Sequence, residues 1–325
     1  MSSERVQKAL ARMGYGSRRE IERLIGEEKI RINGQLAKLG DHVTEGDKVN
    51  IGNRRAIIKS DVNRIRVLLY NKPEGEICTQ KDEQGRPTVF KSIGRLKEGR
   101  WIGVGRLDIN SSGLLLFTNY GDLANHLMHP SSEIEREYAV RVQGEVTQDM
   151  IKNMLKGVEL EDGLLKFDQI LDGGGQGANH WYHVILKEGK NREVRRLWQS
   201  QDVRVSRLTR VRYGSIVLPR DLKVGKKLEL TLDEIKTLFA EVKLAWPASR
   251  DVIASELKKK AKNSSIKQHL YGSRVKAKSS KSRTSRSKSS KTSSSHAAQK
   301  HKEGLSMDSK SVKSKWPGNK TKRKK

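Results

Sequence analysis

The spacing of apolar residues changes period along the chain. Val6, Leu10 and Met13 recur at i, i+4 and i+7, which predicts a short helix over residues 4–13, ended by Gly14. Ser17-Arg-Arg-Glu20 then has the form of a capping box, in which serine and glutamate satisfy each other's backbone N–H groups. The helix it opens buries Ile21, Leu24 and Ile25 and leaves Arg18, Arg19 and Arg23 in solvent. From Ile30 the period shortens to two. Asn33-Gly34 between Ile30-Arg-Ile and Gln-Leu36 predicts a tight hairpin, and short strands continue through Val43 and Val49-Asn-Ile51. Residues 1–60 therefore read as one small module. Residues 52–65 are charged and aperiodic, as a linker would be.

Beyond it the pattern is mostly strand-like. Val67-Leu-Leu-Tyr70 predicts a strand stopped by the Asn71-Lys-Pro-Glu-Gly75 turn. Residues 79–100, polar and interrupted by glycine, are expected to form a mobile surface loop. Two apolar runs, Trp101-Ile-Gly-Val104 and Leu114-Leu-Leu-Phe117, flank a polar turn that holds Asp108 beside Arg106. The second run is continuous, which suits a strand covered on both faces. A short helix over 123–128 is broken by Pro130. Tyr138, Val140 and Val142 alternate along a strand, and residues 148–156 are helical up to Gly157. The run Gly173-Gly-Gly-Gln-Gly177 reads as a flexible loop before a strand over 181–186.

Residues 192–198 predict a helix with two unlike faces: Arg192, Arg195 and Arg196 outside, Val194, Leu197 and Trp198 inside. Residues 203–213 alternate with Arg204, Arg207, Arg210 and Arg212 as polar members. A second capping box, Thr231-Leu-Asp-Glu234, opens a last helix. Many strands with few helices, not in strict alternation, argue for an α+β fold with a mostly antiparallel mixed sheet over residues 61–249.

Charge changes the picture at the C-terminus. The formal net charge is +29, and residues 251–325 hold 23 Lys and Arg against 4 acids. Residues 250–325, rich in Lys, Ser and Arg, have almost nothing to bury and are expected to be disordered. The preceding 250 residues are basic too, by +10, so a polyanion, nucleic acid first, is the expected partner. A single cysteine, Cys78, excludes an internal disulfide and a multi-cysteine zinc module. The N-terminus lacks a signal peptide's apolar core and no apolar run is long enough to span a bilayer, so a soluble cytoplasmic protein with no membrane partner is expected.

Several chemistries are absent from the pattern. There is no Walker-type Gly-Lys-[Ser/Thr] loop and no G-x-S-x-G elbow. His180 and His183 fall on opposite faces of a strand, and His126 with His129 has no third ligand, so no metal site is expected. What remains is Asp108. An aspartate at a Gly-rich turn ordinarily caps backbone N–H groups, so local features leave a turn acid and a catalytic acid both open.

The motifs in order narrow this. Ser17-Arg-Arg-Glu20, Ile30-Arg-Ile-Asn-Gly34 and Gly46-Asp-Lys-Val49 resemble the S4 RNA-binding domain, which implies RNA contacts for Arg18, Arg19 and Arg23. Asn71-Lys-Pro-Glu-Gly75, Gly105-Arg-Leu-Asp108, Ser112-Gly-Leu-Leu-Leu116, Glu135-Arg-Glu-Tyr138 and Glu188-Gly-Lys-Asn-Arg-Glu-Val-Arg-Arg-Leu197 resemble the pseudouridine synthases of the RsuA/RluB family. That resemblance implies isomerisation of a uridine by detaching uracil and reattaching it through C5, without cofactor or metal. It makes Asp108 the essential acid, as nucleophile or base, and Arg195 its ion-pair partner. Tyr138 becomes the residue that stacks on the base and shares in proton transfer. Arg106, Lys190, Arg192 and Arg196 become phosphate- and substrate-positioning groups. The expected partner is 23S rRNA or a large-subunit precursor, met by a monomer that flips the target base. A sister target in 16S or an adjacent 23S uridine, and a non-catalytic S4-type assembly factor, are the rivals.

Overall fold

The structure, a computed structural model, describes residues 3–59, 65–176 and 179–247, all within one compact unit. The N-terminal module comprises β1 (Glu4–Arg5), α1 (Val6–Arg12), α2 (Arg18–Gly26), β2 (Ile30–Ile32), β3 (Gln35–Leu36), β4 (His42–Val43), β5 (Lys48–Ile51) and β6 (Arg54–Ile57). The Ser17 capping box forms: Glu20 N donates to Ser17 Oγ at 3.1 Å and Ser17 N to Glu20 Oε2 at 3.3 Å. Asn33 and Gly34 both take positive φ, 49° and 91°, as a two-residue turn matched to strand twist requires. Val6, Leu10, Ile21, Ile25, Ile30 and Val49 make the core between the helices and the β3-β2-β5-β6 sheet. The linker expected over 52–65 is corrected in part, because β6 lies inside it. As an edge strand β6 buries only Ala56, so its arginines hid the strand pattern.

The larger part holds β7 (Val67–Lys72), α3 (Val89–Ile93), β8 (Ile102–Val104), β9 (Ser112–Thr118), α4 (Gly121–Met128), a 3₁₀ turn (Pro130–Ser132), β10 (Arg136–Gln143), α5 (Gln148–Lys156), β11 (Val158–Leu160), β12 (Gly163–Leu165), β13 (Gln169–Gln176), β14 (Asn179–Leu186), α6 (Glu193–Gln199), β15 (Arg204–Tyr213), β16 (Ile216–Val217), β17 (Lys227–Glu229) and α7 (Leu232–Glu241). Its sheet runs β13-β14-β10-β15-β9-β7-β17, with β8 on β9 and β16 on β15. All these pairings are antiparallel except β9 with β15. The sheet is therefore mixed, as expected.

The continuous run on β9 is buried on both faces. Leu115 and Phe117 enter one core, with Tyr138, Val140, Leu197 and Trp198; Leu114 and Leu116 enter the other, beneath α4 and α7. At the parallel junction Gly113 has φ +100°, and a Cβ there would overlap the Arg210 backbone. Only glycine lets the two strands close.

Three further expectations are corrected. Residues 79–100 are not wholly loop: α3 seats Val89 and Ile93 in the core, capped by Thr88. The Gly173–177 run is largely the edge strand β13, where lack of side chains lets the backbone pass close to Trp181. Arg210, expected on the polar face of β15, is buried, with Nε donating to the Leu114 carbonyl at 2.7 Å. Bulges against β10 shift the alternation. The expected tail, 250–325, lies outside the described residues.

Candidate active site

Asp108 sits in the turn between β8 and β9, and that turn is held from every side. Lys72, the last residue of β7, is fully buried. Its ammonium donates to the carbonyls of Pro73, Asp108 and Ser111 at 3.0, 3.1 and 2.8 Å. Burial pushes the Lys72 ammonium pKa down, while Cys78, Glu76 and Asp108 pull it back up. Gly75 N donates to Ile109 O at 2.8 Å. Cys78 Sγ and the Leu107 backbone exchange contacts at 3.2 and 3.4 Å. Arg195 donates to Asn110 O at 2.8 Å and to Val205 O at 3.0 Å. These anchors fix the backbone and leave the Asp108 carboxylate facing out, its side chain 32% exposed.

The cation beside that carboxylate is Arg192, whose Nη1 lies 3.9 Å from Asp108 Oδ2. The ion pair expected of Arg195 thus falls to Arg192, three residues earlier. The reason is local: α6 starts at Glu193, and Arg192 precedes it with φ 49°. Lys190 and Glu193 close this turn reciprocally, Lys190 N to Glu193 Oε2 at 2.9 Å and Glu193 N to Lys190 O at 3.3 Å. Arg195 is one turn further along and braces the loop instead. Burial, then Arg192, lowers its guanidinium pKa, opposed by Asp108 and Glu74; an arginine stays charged regardless.

Asp108, Arg106, Tyr138, Lys190 and Arg192 all line one cleft of about 1640 Å³. That exceeds the roughly 300–1,000 Å³ of an ordinary small-molecule pocket. Tyr138 projects from β10, its ring buried in the core and its hydroxyl without a hydrogen-bond partner among the described residues. Arg106 is exposed and unpaired among those residues. Lys190 is salt-bridged to Glu188 at 3.0 Å, and Arg196 is held by both oxygens of Asp162 at 2.6 and 2.7 Å. Arg18 and Arg19 are exposed on α2, and Arg23 is paired with Glu27. The N-terminal module meets the larger part through Lys8 and Asp122, 3.1 Å apart, and through Gly14 against Gly99.

Two contributors escaped the sequence. Lys72 read as part of a turn, although the strand begun by Val67–Tyr70 runs on through Asn71 and buries Lys72 at its end. Glu193 was assigned no role by the sequence but is buried in the cleft wall, where desolvation pushes its carboxyl up to about 7. A smaller depression of about 630 Å³ lies beyond the other end of β10, where Asp172 and His180 are already joined at 2.6 Å. Among the described residues no cluster of His, Cys, Asp or Glu is placed to hold a metal, and no helix is long and apolar enough to cross a membrane.

A partly exposed acid beside an arginine thus lies in a wide cleft lined by both basic and acidic side chains, in a chain whose N-terminal module exposes Arg18 and Arg19. The RNA pseudouridylate synthase profile matches residues 66–200, and the S4 domain profile residues 4–49. Proteins described as ribosomal large subunit pseudouridine synthase B are close in sequence. The Pseudomonas aeruginosa protein is 51% identical over 82% of this chain and 69% of its own length. The Yersinia pestis protein is 53% identical over 74% and 77%, and the Escherichia coli K12 protein 49% over 82% and 92%. A crystal structure of a pseudouridylate synthase shares the fold at TM-score 0.51 and 22% identity, covering 72% of this chain and 99% of that one. The chain belongs to the pseudouridine synthase family and is an RNA-modifying isomerase with an N-terminal S4 domain.

Proposed function

We propose that the protein converts one uridine of 23S rRNA, in the uridine 2605 class near the peptidyl-transferase centre, to pseudouridine. The observation that carries the chemistry is the clamped turn that presents Asp108 to the cleft beside Arg192. The large-subunit target rests on the relatives' descriptions at about half identity. Residues 1–60 bind RNA, residues 61–249 carry the reaction, and residues 250–325 add electrostatic affinity.

In the reaction the C1′–N1 bond breaks, uracil turns in place, and a C1′–C5 bond forms. The proton lost at C5 is balanced by one gained at N1, so the product is an isomer. The target nucleotide flips into the cleft. Asp108 acts at the glycosidic centre, as nucleophile or base toward the ribose, where a fixed carboxylate stabilises developing positive charge. Arg192 orients that carboxylate, and Arg195 and Lys72 hold its backbone. Tyr138 stacks on the detached uracil and its unpartnered hydroxyl serves the proton transfer from C5. Arg106 and Lys190 reach for flanking phosphates.

The test is to map pseudouridines in ribosomal RNA from cells lacking the protein. Loss of one 23S pseudouridine, restored by the intact gene, supports the proposal. Loss in 16S instead makes it a sister enzyme, and no loss anywhere makes it a binding factor.

A further inference from the structure

The two faces of the β13-β14-β10 half of the sheet are unlike. Tyr138, Val140, Tyr182 and Val184 turn into the core, so their strand neighbours turn the other way. On that second face the register sets Trp181 beside Arg141 and Arg141 beside Arg207. The next row is Leu171, His183, Ala139 and Thr209. Trp181 packs into neither core, whereas Trp101, Trp198 and Trp246 all do. Leu171 is 53% exposed, and Arg204 and Arg207 are exposed with no acidic partner among the described residues. Arg141 is braced, its Nε donating to Ser206 Oγ at 2.9 Å and that hydroxyl donating to the Arg141 carbonyl at 3.0 Å. The acid here, Glu137, is already bound by His183 and Arg212, each at 2.9 Å.

We propose that this open face is a second RNA-contacting surface, on which a single-stranded segment flanking the target stacks a base on Trp181 and sets phosphates on Arg141, Arg204 and Arg207. It rests on the reading of the substrate as RNA. A flat aromatic among unpaired arginines is the chemistry that holds unpaired nucleotides without reading their sequence. The charge argues against the C-terminal segment as occupant, since residues 251–325 carry a net +19 and this face is itself cationic. Tyr138 in the cleft and Arg141 behind it lie on one strand, so RNA leaving the cleft need round only β14 and β13. At the usual strand spacing the sideways distance to that edge is about 10 Å, and Arg141 lies roughly another 10 Å along β10 from Tyr138.

The probe is an RNA stem-loop bearing the target uridine, with and without a single-stranded flank, offered to the full-length protein. Wild type is expected to bind the flanked RNA about tenfold more tightly. Arg207→Glu and Trp181→Ala are expected to erase that gain, and Trp181→Phe to keep it, with turnover at saturating RNA unchanged. Arg207 is exposed, so its variant decides the matter even if Trp181→Ala does not fold. Equal binding of the two RNAs, or a gain that survives Arg207→Glu, overturns the proposal. A gain lost only on deleting residues 251–325 assigns the flank to that segment and also overturns it. If neither RNA gains a pseudouridine yet the flank effect follows these substitutions, the surface stands and the proposed target uridine falls.

Discussion

The Lys72 ammonium, at the end of β7, donates to the backbone carbonyl of Asp108 at 3.1 Å. Its bond to the Ser111 carbonyl at 2.8 Å is a second tie from this buried strand to the acid's turn, and the third goes to its own chain neighbour, Pro73, at 3.0 Å. A lysine can satisfy three acceptors there because it carries three donors and no acceptor.

Lys72→Met removes all three bonds, one of them buried and two part-buried, and leaves those carbonyls without this donor. The expected cost is about 2–4 kcal/mol of stability, since each buried unsatisfied group costs about 1–3 kcal/mol and the turn can relax in part. In the folded fraction kcat is expected to fall while RNA affinity holds, because the turn moves and the RNA-contacting arginines do not. Chemical denaturation and single-turnover kinetics check both.

Gly113→Ala places a methyl group against the Arg210 backbone at a φ that alanine avoids. A loss of about 3 kcal/mol or more is expected from strain and the opened strand pair. A fall in Tm checks it.

Glu193 sets a pH dependence. Its folded carboxyl is raised to about 7 from an ordinary 4.5, so the folded protein holds that proton more tightly than the unfolded chain. Its contribution to stability is fully present below about pH 4.5 and is lost as the pH rises through about 7. Glu193→Gln cannot titrate, so its stability curve is expected to be flatter between those values. Thermal unfolding across that window checks the difference in slope.

Arg192 and Arg196 are expected to separate, although both face outward on the helical pattern. Arg196 is held by Asp162, so Arg196→Ala should change RNA turnover by no more than about twofold, as for an exposed pair. Arg192→Ala removes the cation ion-paired with Asp108 and is expected to lower kcat about a hundredfold, the scale of losing one positioned electrostatic group. Parallel kinetics on one RNA check the contrast.

Local chemistry was legible in the sequence. The capping boxes at Ser17 and Thr231 and the Asn33-Gly34 turn need only neighbouring residues, and all form. The doubly buried β9 was legible from its unbroken apolar run. Elements whose evidence is tertiary were not. β6 buries one alanine, α3 buries two residues, and β13 is made partly of glycines that show no side-chain period. At the site, motif order pointed to Asp108, but the start of α6 one residue later than expected moved the ion pair from Arg195 to Arg192. Lys72 was hidden because a charged residue before a proline reads as surface turn, while two of its three carbonyl partners, Asp108 and Ser111, are brought to it only by folding.

Everything turns on the Asp108 carboxylate. Asp108→Asn keeps the shape of the side chain and the backbone contacts to Lys72, and removes only the charge. Pseudouridine should be measured in a large-subunit RNA fragment under single-turnover conditions, with RNA affinity measured on the same variant. The expected result is no detectable pseudouridine with an affinity within about twofold of wild type, since the loss falls on the reacting centre alone. Pseudouridine formed by Asp108→Asn at the wild-type rate would contradict the assignment of this acid to the chemistry.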